Sequence, residues 1–300
     1  MFFIWYNKPM YRVTETVCSS ALHHHNSKWL PFKYDINVYR GCAHRCIYCY
    51  ALYSHGYIGG DGTFFDQIYA KTNVADVLMR ELPRFSRETV NLGGVTDSYQ
   101  PAEETCSLMP GVLGQLARFH VPAVISTKSA LILRDVALLK KVADAAGLMA
   151  ALTVTTMDDA VASLIEPGSS RPTARMAAVR ELKKQGLTCG VHLMPVIPYL
   201  TSGRDSLEAV FSAAKDAGAD YVLTSALNLK GPTRRGFFDA VRQSFSSEYN
   251  RIKSVFYDKQ AYTEYKRELQ ENVSKLRTKY AMPAYVTLNP RPRPTQISFF

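Results

Sequence analysis

Three cysteines stand close together in Cys42-Ala43-His44-Arg45-Cys46-Ile47-Tyr48-Cys49, the first pair separated by three residues and the second by two. Thiolate is the soft ligand that iron–sulfur clusters and zinc prefer. A short loop with this spacing can turn all three sulfurs to one side. Two chemistries fit. A [4Fe–4S] cluster held by three cysteines keeps one iron open to an external ligand. A structural zinc takes four ligands, here the three cysteines with His44. Either needs free thiolates, and so a reducing compartment. Cys18, Cys106 and Cys189 are scattered along the chain, which is not the framework of a small disulfide protein.

The loop needs a scaffold, and the hydrophobic pattern supplies one. Apolar, β-branched segments recur at 35–40, 90–96, 122–127, 149–155, 188–196 and 220–227. Stretches of helical pattern separate them at 74–85, 103–119, 133–145, 172–185 and 205–217. The helix at 172–185 has Pro172 in its first turn, Lys183 and Lys184 in its last, and Gly186 as its stop. Buried strands alternating with crossover helices predict an α/β fold with a parallel sheet and the helices outside. Six units fall short of a closed eight-stranded barrel. The expected architecture is therefore a partial (β/α)6 TIM-like barrel over 35–230. An N-terminal extension (1–34) precedes it, and a basic C-terminal extension (231–300) follows, with a helix at 259–278 and an extended Pro/Arg tail. Chemistry in such folds sits at the C-terminal ends of the strands, and the cysteine loop directly follows the first.

Composition narrows the class. The 300 residues are 47% apolar, enough for one barrel-sized core. The apolar start Met1–Tyr6 is too short for a signal-peptide core and lacks a basic flank. No apolar run approaches the roughly 20 residues that span a bilayer. A soluble, cytoplasmic protein with no membrane partner is expected. The net charge is +10, and from Asn228 onward 14 Lys and Arg face 6 Asp and Glu. That imbalance makes nucleic acid a candidate partner, with the basic stretch 230–235 in a loop after strand six. The alternative is a solvated helical face with a basic tail. The run His23-His24-His25 reads as a polar surface loop, because three adjacent side chains cannot face one point.

Several stretches together resemble one family. Tyr39-Arg40-Gly41-Cys42 through Cys49-Tyr50-Ala51 is similar to the cluster loop of the radical S-adenosylmethionine (SAM) enzymes, in the spore photoproduct lyase-like ("DNA repair photolyase") branch. Gly94-Val95-Thr96-Asp97-Ser98-Tyr99-Gln100-Pro101, Ser126-Thr127-Lys128-Ser129, Leu133-Arg134-Asp135, Glu166-Pro167 and Met194-Pro195-Val196-Ile197-Pro198 match its pattern in order. The resemblance implies that Cys42, Cys46 and Cys49 hold a [4Fe–4S] cluster and that SAM chelates the open iron. It implies an electron donor such as flavodoxin or ferredoxin. It also implies reductive cleavage of SAM to methionine and a 5′-deoxyadenosyl radical that abstracts hydrogen from a substrate.

The resemblance, together with the physical reading of the rim residues, distributes roles around the rim. Tyr48 lies near the adenine, and Gly93 and Gly94 near the methionine amino group. Asp97, after Thr96, can accept from an ammonium or a ribose hydroxyl, and Lys128 can pair the SAM carboxylate. Thr153, Thr155 and Thr156 end strand four, where they either bond the ribose or simply fill a strand. His192 and Met194 line the site from strand five, unless His192 is a satisfied core histidine. Arg134 and Asp135 read as a helix-start pair. Tyr48 and Tyr50 match the tyrosines flanking the third cysteine in the lyase, but the lyase's hydrogen-donor cysteine is replaced by Gly94. Cys106, a few residues on, either substitutes for it or packs in the core. Cys189, at the far end of strand five, reads as core. Three functions follow: an enzyme acting on a nucleic-acid lesion or modified base, one acting on a peptide or small metabolite, and a metal-bearing binding module without catalysis.

Overall fold

The computed structural model describes residues 11–27, 30–57 and 63–290. The chain enters through β1 (Arg12–Thr16) and β2 (Leu22–His24), then runs through β3 (Tyr34–Ile36) and β4 (Tyr39–Arg40) into the cysteine loop. The single strand expected at 35–40 is thus two. Asn37 and Val38 turn the chain from one sheet to another. The Asn37 side chain accepts the Val95 N–H (2.9 Å), and the Val38 carbonyl accepts the Lys71 N–H (3.0 Å). A 3-10 segment, Tyr50–Tyr57, leads on to β5 (Gln67–Lys71). β5 pairs parallel with β1 and antiparallel with β4 in a three-stranded sheet that backs the loop. His23 and His24, expected in a loop, belong to β2 and pair with Asp35 and Tyr34.

The predicted alternation then appears: α1 (Val74–Glu81), β6 (Val90–Leu92), α2 (Glu103–Cys106), α3 (Met109–Arg118), β7 (Ala123–Thr127), α4 (Val136–Ala145), β8 (Leu148–Thr153), α5 (Asp159–Ile165), α6 (Pro172–Lys184), β9 (Thr188–Val196), α7 (Arg204–Asp216) and β10 (Val222–Ala226). The seven-stranded sheet runs β10-β9-β8-β7-β6-β3-β2. Its strands are parallel from β3 to β10, and only β2, at the edge, is antiparallel. β2 and β10 end the order without pairing, so the sheet is an open, partial barrel.

The one helix expected at 103–119 is broken for a local reason. Pro110 has no N–H to give and crowds the preceding turn. Ser107 takes a left-handed turn (φ 48°), and the Glu103 carboxylate accepts the Leu108 and Met109 N–H groups (3.1 and 3.0 Å), opening α3 afresh. Along β9, Cys189, Val191 and Leu193 point into the core beneath the helices, while His192 and Met194 alternate onto the lumen face.

After β10 come α8 (Pro232–Ser244), α9 (Tyr249–Tyr257) and α10 (Lys259–Tyr280). The 230–235 stretch is therefore not a loop throughout. Pro232 sits in the first turn of α8, where its missing N–H costs nothing. α10 buries Tyr265, Leu269, Val273 and Leu276 in the main core. The chain beyond it covers the β10 edge, the Pro283 carbonyl accepting the Val222 N–H at 3.0 Å. No helix among the described residues is long and apolar enough to cross a membrane. The Arg291–Arg293 part of the tail and the apolar start lie outside the described residues.

Candidate active site

The cysteine loop leaves β4 at the rim and is gripped from three sides. From the β6 side, the Thr96 hydroxyl donates to the Gly41 carbonyl at 2.7 Å. From the segment after α5, the Gly168 N–H donates to the His44 carbonyl (3.0 Å), and the Ile47 N–H donates to the Ile165 carbonyl (3.0 Å). From the start of α8, the buried Thr233 hydroxyl donates to the Cys49 carbonyl at 2.7 Å. Gly168 comes so close that a Cβ there would stand 2.0 Å from the Ala43 carbonyl oxygen.

The donor set suits a cluster. Cys42 and Cys46 are buried, and Cys49 packs between the two apolar groups that contain them. Burial, then the Asp97 carboxylate and the other two thiols, push the Cys42 thiol up; Cys46 is pushed up to about 12, chiefly by burial. Buried and close together, these groups ionise readily only beside a bound cation. His44, the fourth ligand of the zinc reading, packs against Gly168 and Asp97. His44 Nδ1 lies 2.9 Å from the Gly168 carbonyl oxygen, and its Nε2 lies 3.1 Å from Asp97 Oδ2. Both ring nitrogens lie beside protein oxygens. Among the described residues, no three His, Cys, Asp or Glu side chains gather closely enough to share one ion. Three cysteines that each take a separate iron do not need to.

Asp97 proves to be a hub. Oδ1 accepts from the Thr127 hydroxyl (2.6 Å) and the Tyr99 N–H (2.9 Å), and Oδ2 accepts from the Lys128 N–H (2.9 Å). Burial pushes its carboxyl up, but His44, Thr127 and the Lys128 N–H outweigh that and hold it well below the usual range. Its oxygens are committed to the protein, tying the cysteine loop to the end of β7. Lys128, one residue past β7, keeps its ammonium 5.7 Å from the centre of the Tyr48 ring. Burial lowers its pKa, but Cys46, Glu166 and Asp97 outweigh that, so it is a firm cation facing the loop. Among the described residues it makes no ion pair.

Glu166 forms a second hub. Its carboxylate accepts from the Tyr48 hydroxyl and from the Thr155 hydroxyl (2.9 Å), and it lies 2.7 Å from Arg175 Nη2. Arg175, fully buried, also donates to the Thr153 carbonyl at 2.6 Å. Tyr48 and Thr155 therefore spend their hydroxyls inside the protein and present a ring and a methyl to any ligand. In the lumen, the Ser126 hydroxyl meets Thr153 Oγ1 (3.2 Å) and His192 Nδ1 (3.0 Å), and His192 Nε2 meets the Tyr221 hydroxyl (3.1 Å). Burial, then Lys128, lower the His192 pKa to about 4.

The remaining residues separate. Gly93 follows β6 with φ 92°, and a Cβ on Gly94 would fall 2.6 Å from the Asp35 carboxyl carbon. The exposed Tyr50 donates its hydroxyl to the Gly94 carbonyl. Met194 stands two residues beyond His192 on the same face of β9. Cys106 packs against the main core near Tyr39 and Tyr11, apart from the groups that hold the cluster cysteines. Sequence reasoning gave no role to Gly168, Arg175 or Thr233. Arg175 did carry a signal: a charged residue at a core-facing position of an amphipathic helix.

Comparison with known proteins agrees with this arrangement. The profile of the Radical SAM superfamily matches residues 36–225. The uncharacterized protein Rv2578c of Mycobacterium tuberculosis is 38% identical over 275 residues, covering 89% of this chain and 81% of its own. The uncharacterized protein MJ0683 of Methanocaldococcus jannaschii is 26% identical over 247 residues, covering 82% of this chain and 87% of its own. Among solved structures, a spore photoproduct lyase mutant with bound AdoMet and dinucleoside spore photoproduct superposes with a TM-score of 0.61 at 15% identity. That superposition covers 78% of this chain and 67% of the lyase, a likeness of fold.

Proposed function

Because the chain belongs to the radical SAM superfamily, whose cofactors are a [4Fe–4S] cluster and SAM, we propose that it is an enzyme acting on a nucleic acid, at a lesion or a modified base. When bound, the cofactors supply one electron to the SAM sulfonium and a carbon radical that takes hydrogen from substrate. The protein's own part is placement. Cys42, Cys46 and Cys49 hold the cluster, Lys128 receives the SAM carboxylate, and Tyr48 offers its ring as a wall. Ser126, Thr153, His192 and Met194 line the lumen where a substrate group enters. We assign the enzyme to the cytoplasm, with an electron carrier such as flavodoxin or ferredoxin as its donor.

One observation carries the choice of nucleic acid: cations and exposed aromatic rings interleave beside the cluster loop. Arg251 stacks over exposed Tyr199 at 4.2 Å, and Lys253 approaches both Tyr249 and exposed Tyr257 (5.7 and 5.5 Å). Single strands are gripped by such alternation, cations on phosphates and rings on bases. The Thr233–Cys49 hydrogen bond ties the helix at the base of this surface to the loop. The two arginines in the first turn of α8 divide their work. Arg234 donates to the Phe256 carbonyl (2.9 Å) and stacks on Tyr257 (4.4 Å), bracing α8 against α9. Arg235 is exposed and free to meet phosphate. The spore photoproduct lyase that shares the fold binds AdoMet and a dinucleoside, and our reading gives this chain ligands of the same two classes.

The test is binding of single-stranded DNA and RNA at several salt concentrations. Replacing Arg235 and Lys253 by Ala is expected to weaken binding for all sequences alike. It should also reduce the slope of log affinity against log salt by about 0.7 for each lost contact. No binding to either polymer at low salt would overturn the nucleic-acid reading. The polar lumen would then serve a peptide or small metabolite.

A further inference from the structure

We propose that Gln100 is a positioning residue that fixes Cys42 in the cluster loop; this rests on the reading of Cys42 as a cluster ligand. Gln100 sits between β6 and α2, wholly buried, with its own backbone pinned. Its N–H donates to the Asp97 carbonyl (3.3 Å), and its carbonyl accepts from the Glu103 N–H (2.8 Å). Its side-chain amide then spans Cys42. Oε1 accepts the Ala43 N–H at 2.8 Å, while Nε2 donates to the Gly41 carbonyl at 3.1 Å and to Thr96 Oγ1 at 3.1 Å. Every hydrogen-bonding direction of the Nε2 and one of Oε1 is spent on the loop or on the residue that grips it. The orientation of the amide is forced, because the Ala43 N–H can only donate and the Gly41 carbonyl can only accept.

The consequence for Cys42 is geometric. The Cys42 N–H is itself taken by the Phe64 carbonyl at 3.0 Å. The peptide groups on both sides of its Cα are thereby fixed, leaving the thiol little freedom beyond rotation about χ1. A buried amide is expensive unless bonded, so a residue wholly buried here, with its amide bonded to the peptide groups on both sides of one ligand, is placed for that ligand. Groups behind a metal ligand orient it, and losing one costs about ten- to a hundredfold in metal affinity. Gln100 acts through Cys42 and touches neither SAM nor substrate.

The test uses the anaerobically reconstituted protein and Gln100→Met, which keeps length without the hydrogen bonds. Iron release to a ferrous chelator is expected to be about ten- to a hundredfold faster in the variant. Amide hydrogen exchange is expected to rise in the 41–49 peptide and to stay unchanged in β8 and β9. Gln100→Glu, which retains an acceptor for the Ala43 N–H, is expected to recover part of the loss. Iron release and exchange equal to wild type in Gln100→Met would overturn the proposal. Should Gln100→Met not fold, residue-resolved exchange in the wild-type protein decides: slow exchange at Ala43 supports the bridge, and exchange at the free-peptide rate removes it. Failure of the wild type to take up any cluster would instead overturn the ligand assignment, a separate outcome.

Discussion

Gly168→Ala should damage the cluster site while leaving the barrel folded. The added Cβ would stand 2.0 Å from the Ala43 carbonyl oxygen and 2.9 Å from the His44 Cα. Both are backbone atoms, so no rotamer relieves the clash. Reaching a tolerable contact needs a separation of about 1 Å between the 165–170 segment and the cysteine loop. Overpacking of this kind costs about 1–3 kcal/mol. The movement also breaks the Gly168–His44 backbone bond and the His44 Nδ1 contact to Gly168, at about 0.5–1.5 kcal/mol each. The combined local cost is roughly 2–6 kcal/mol. A displacement of about 1 Å in such a site is worth on the order of a hundredfold in rate. The assay is iron and sulfide content after anaerobic reconstitution, alongside circular dichroism of the apoprotein. Gly114→Ala, in α3, is the control, because a Cβ there meets nothing within 4 Å. A Gly168→Ala protein that loads and keeps its cluster like wild type would refute the reasoning.

Gly114→Ala should itself stabilise the protein by up to about 1 kcal/mol, read as a raised unfolding midpoint, since glycine is the poorer residue inside a helix. Lys128→Ala should leave cluster content unchanged yet weaken SAM binding roughly ten- to a hundredfold, the loss of one charge-assisted hydrogen bond; equal SAM affinity in calorimetry would assign Lys128 to the fold alone. His192 should make stability depend on acid. Its folded pKa is about 4, against about 6.5 in the unfolded chain. Between those values the unfolded state binds the proton and the folded state does not. This contribution is therefore full above pH 6.5 and is lost on acidification toward pH 4, at up to about 1.4 kcal/mol per pH unit. Thermal unfolding of His192→Gln from pH 7.5 to 5 should show a shallower decline than wild type, and parallel curves would contradict it.

Much of the scaffold was legible because its signals are local. The span 188–196 shows up as a strand with the bounds expected, and α6 opens at Pro172 and closes before Gly186. Where the pattern misled, a tertiary contact decided. The 35–40 strand splits because Asn37 is drawn to Val95, and the 103–119 helix splits because the Glu103 carboxylate caps a second start. The small sheet of β1, β4 and β5 is held by pairings between segments about 55 (β1–β5) and about 30 (β4–β5) residues apart in sequence, which periodicity does not report. In the site, residue types do not report which partners the side chains take. Asp97, Thr96 and Thr155 read as groups facing a cofactor, whereas their oxygens bond Lys128, Gly41 and Glu166 within the protein. Gly168 and Thr233 grip the loop from more than 100 residues away, and no spacing rule reaches that far.

The most direct test of the central claim is anaerobic SAM cleavage. Reconstituted protein, supplied with SAM and a strong one-electron reductant, is analysed for 5′-deoxyadenosine and methionine. The account predicts both products from the wild type. It predicts neither from Cys46→Ala, which should also fail to hold its cluster. Cleavage by Cys46→Ala at the wild-type rate, or none by a wild-type protein carrying a full cluster and bound SAM, would contradict it.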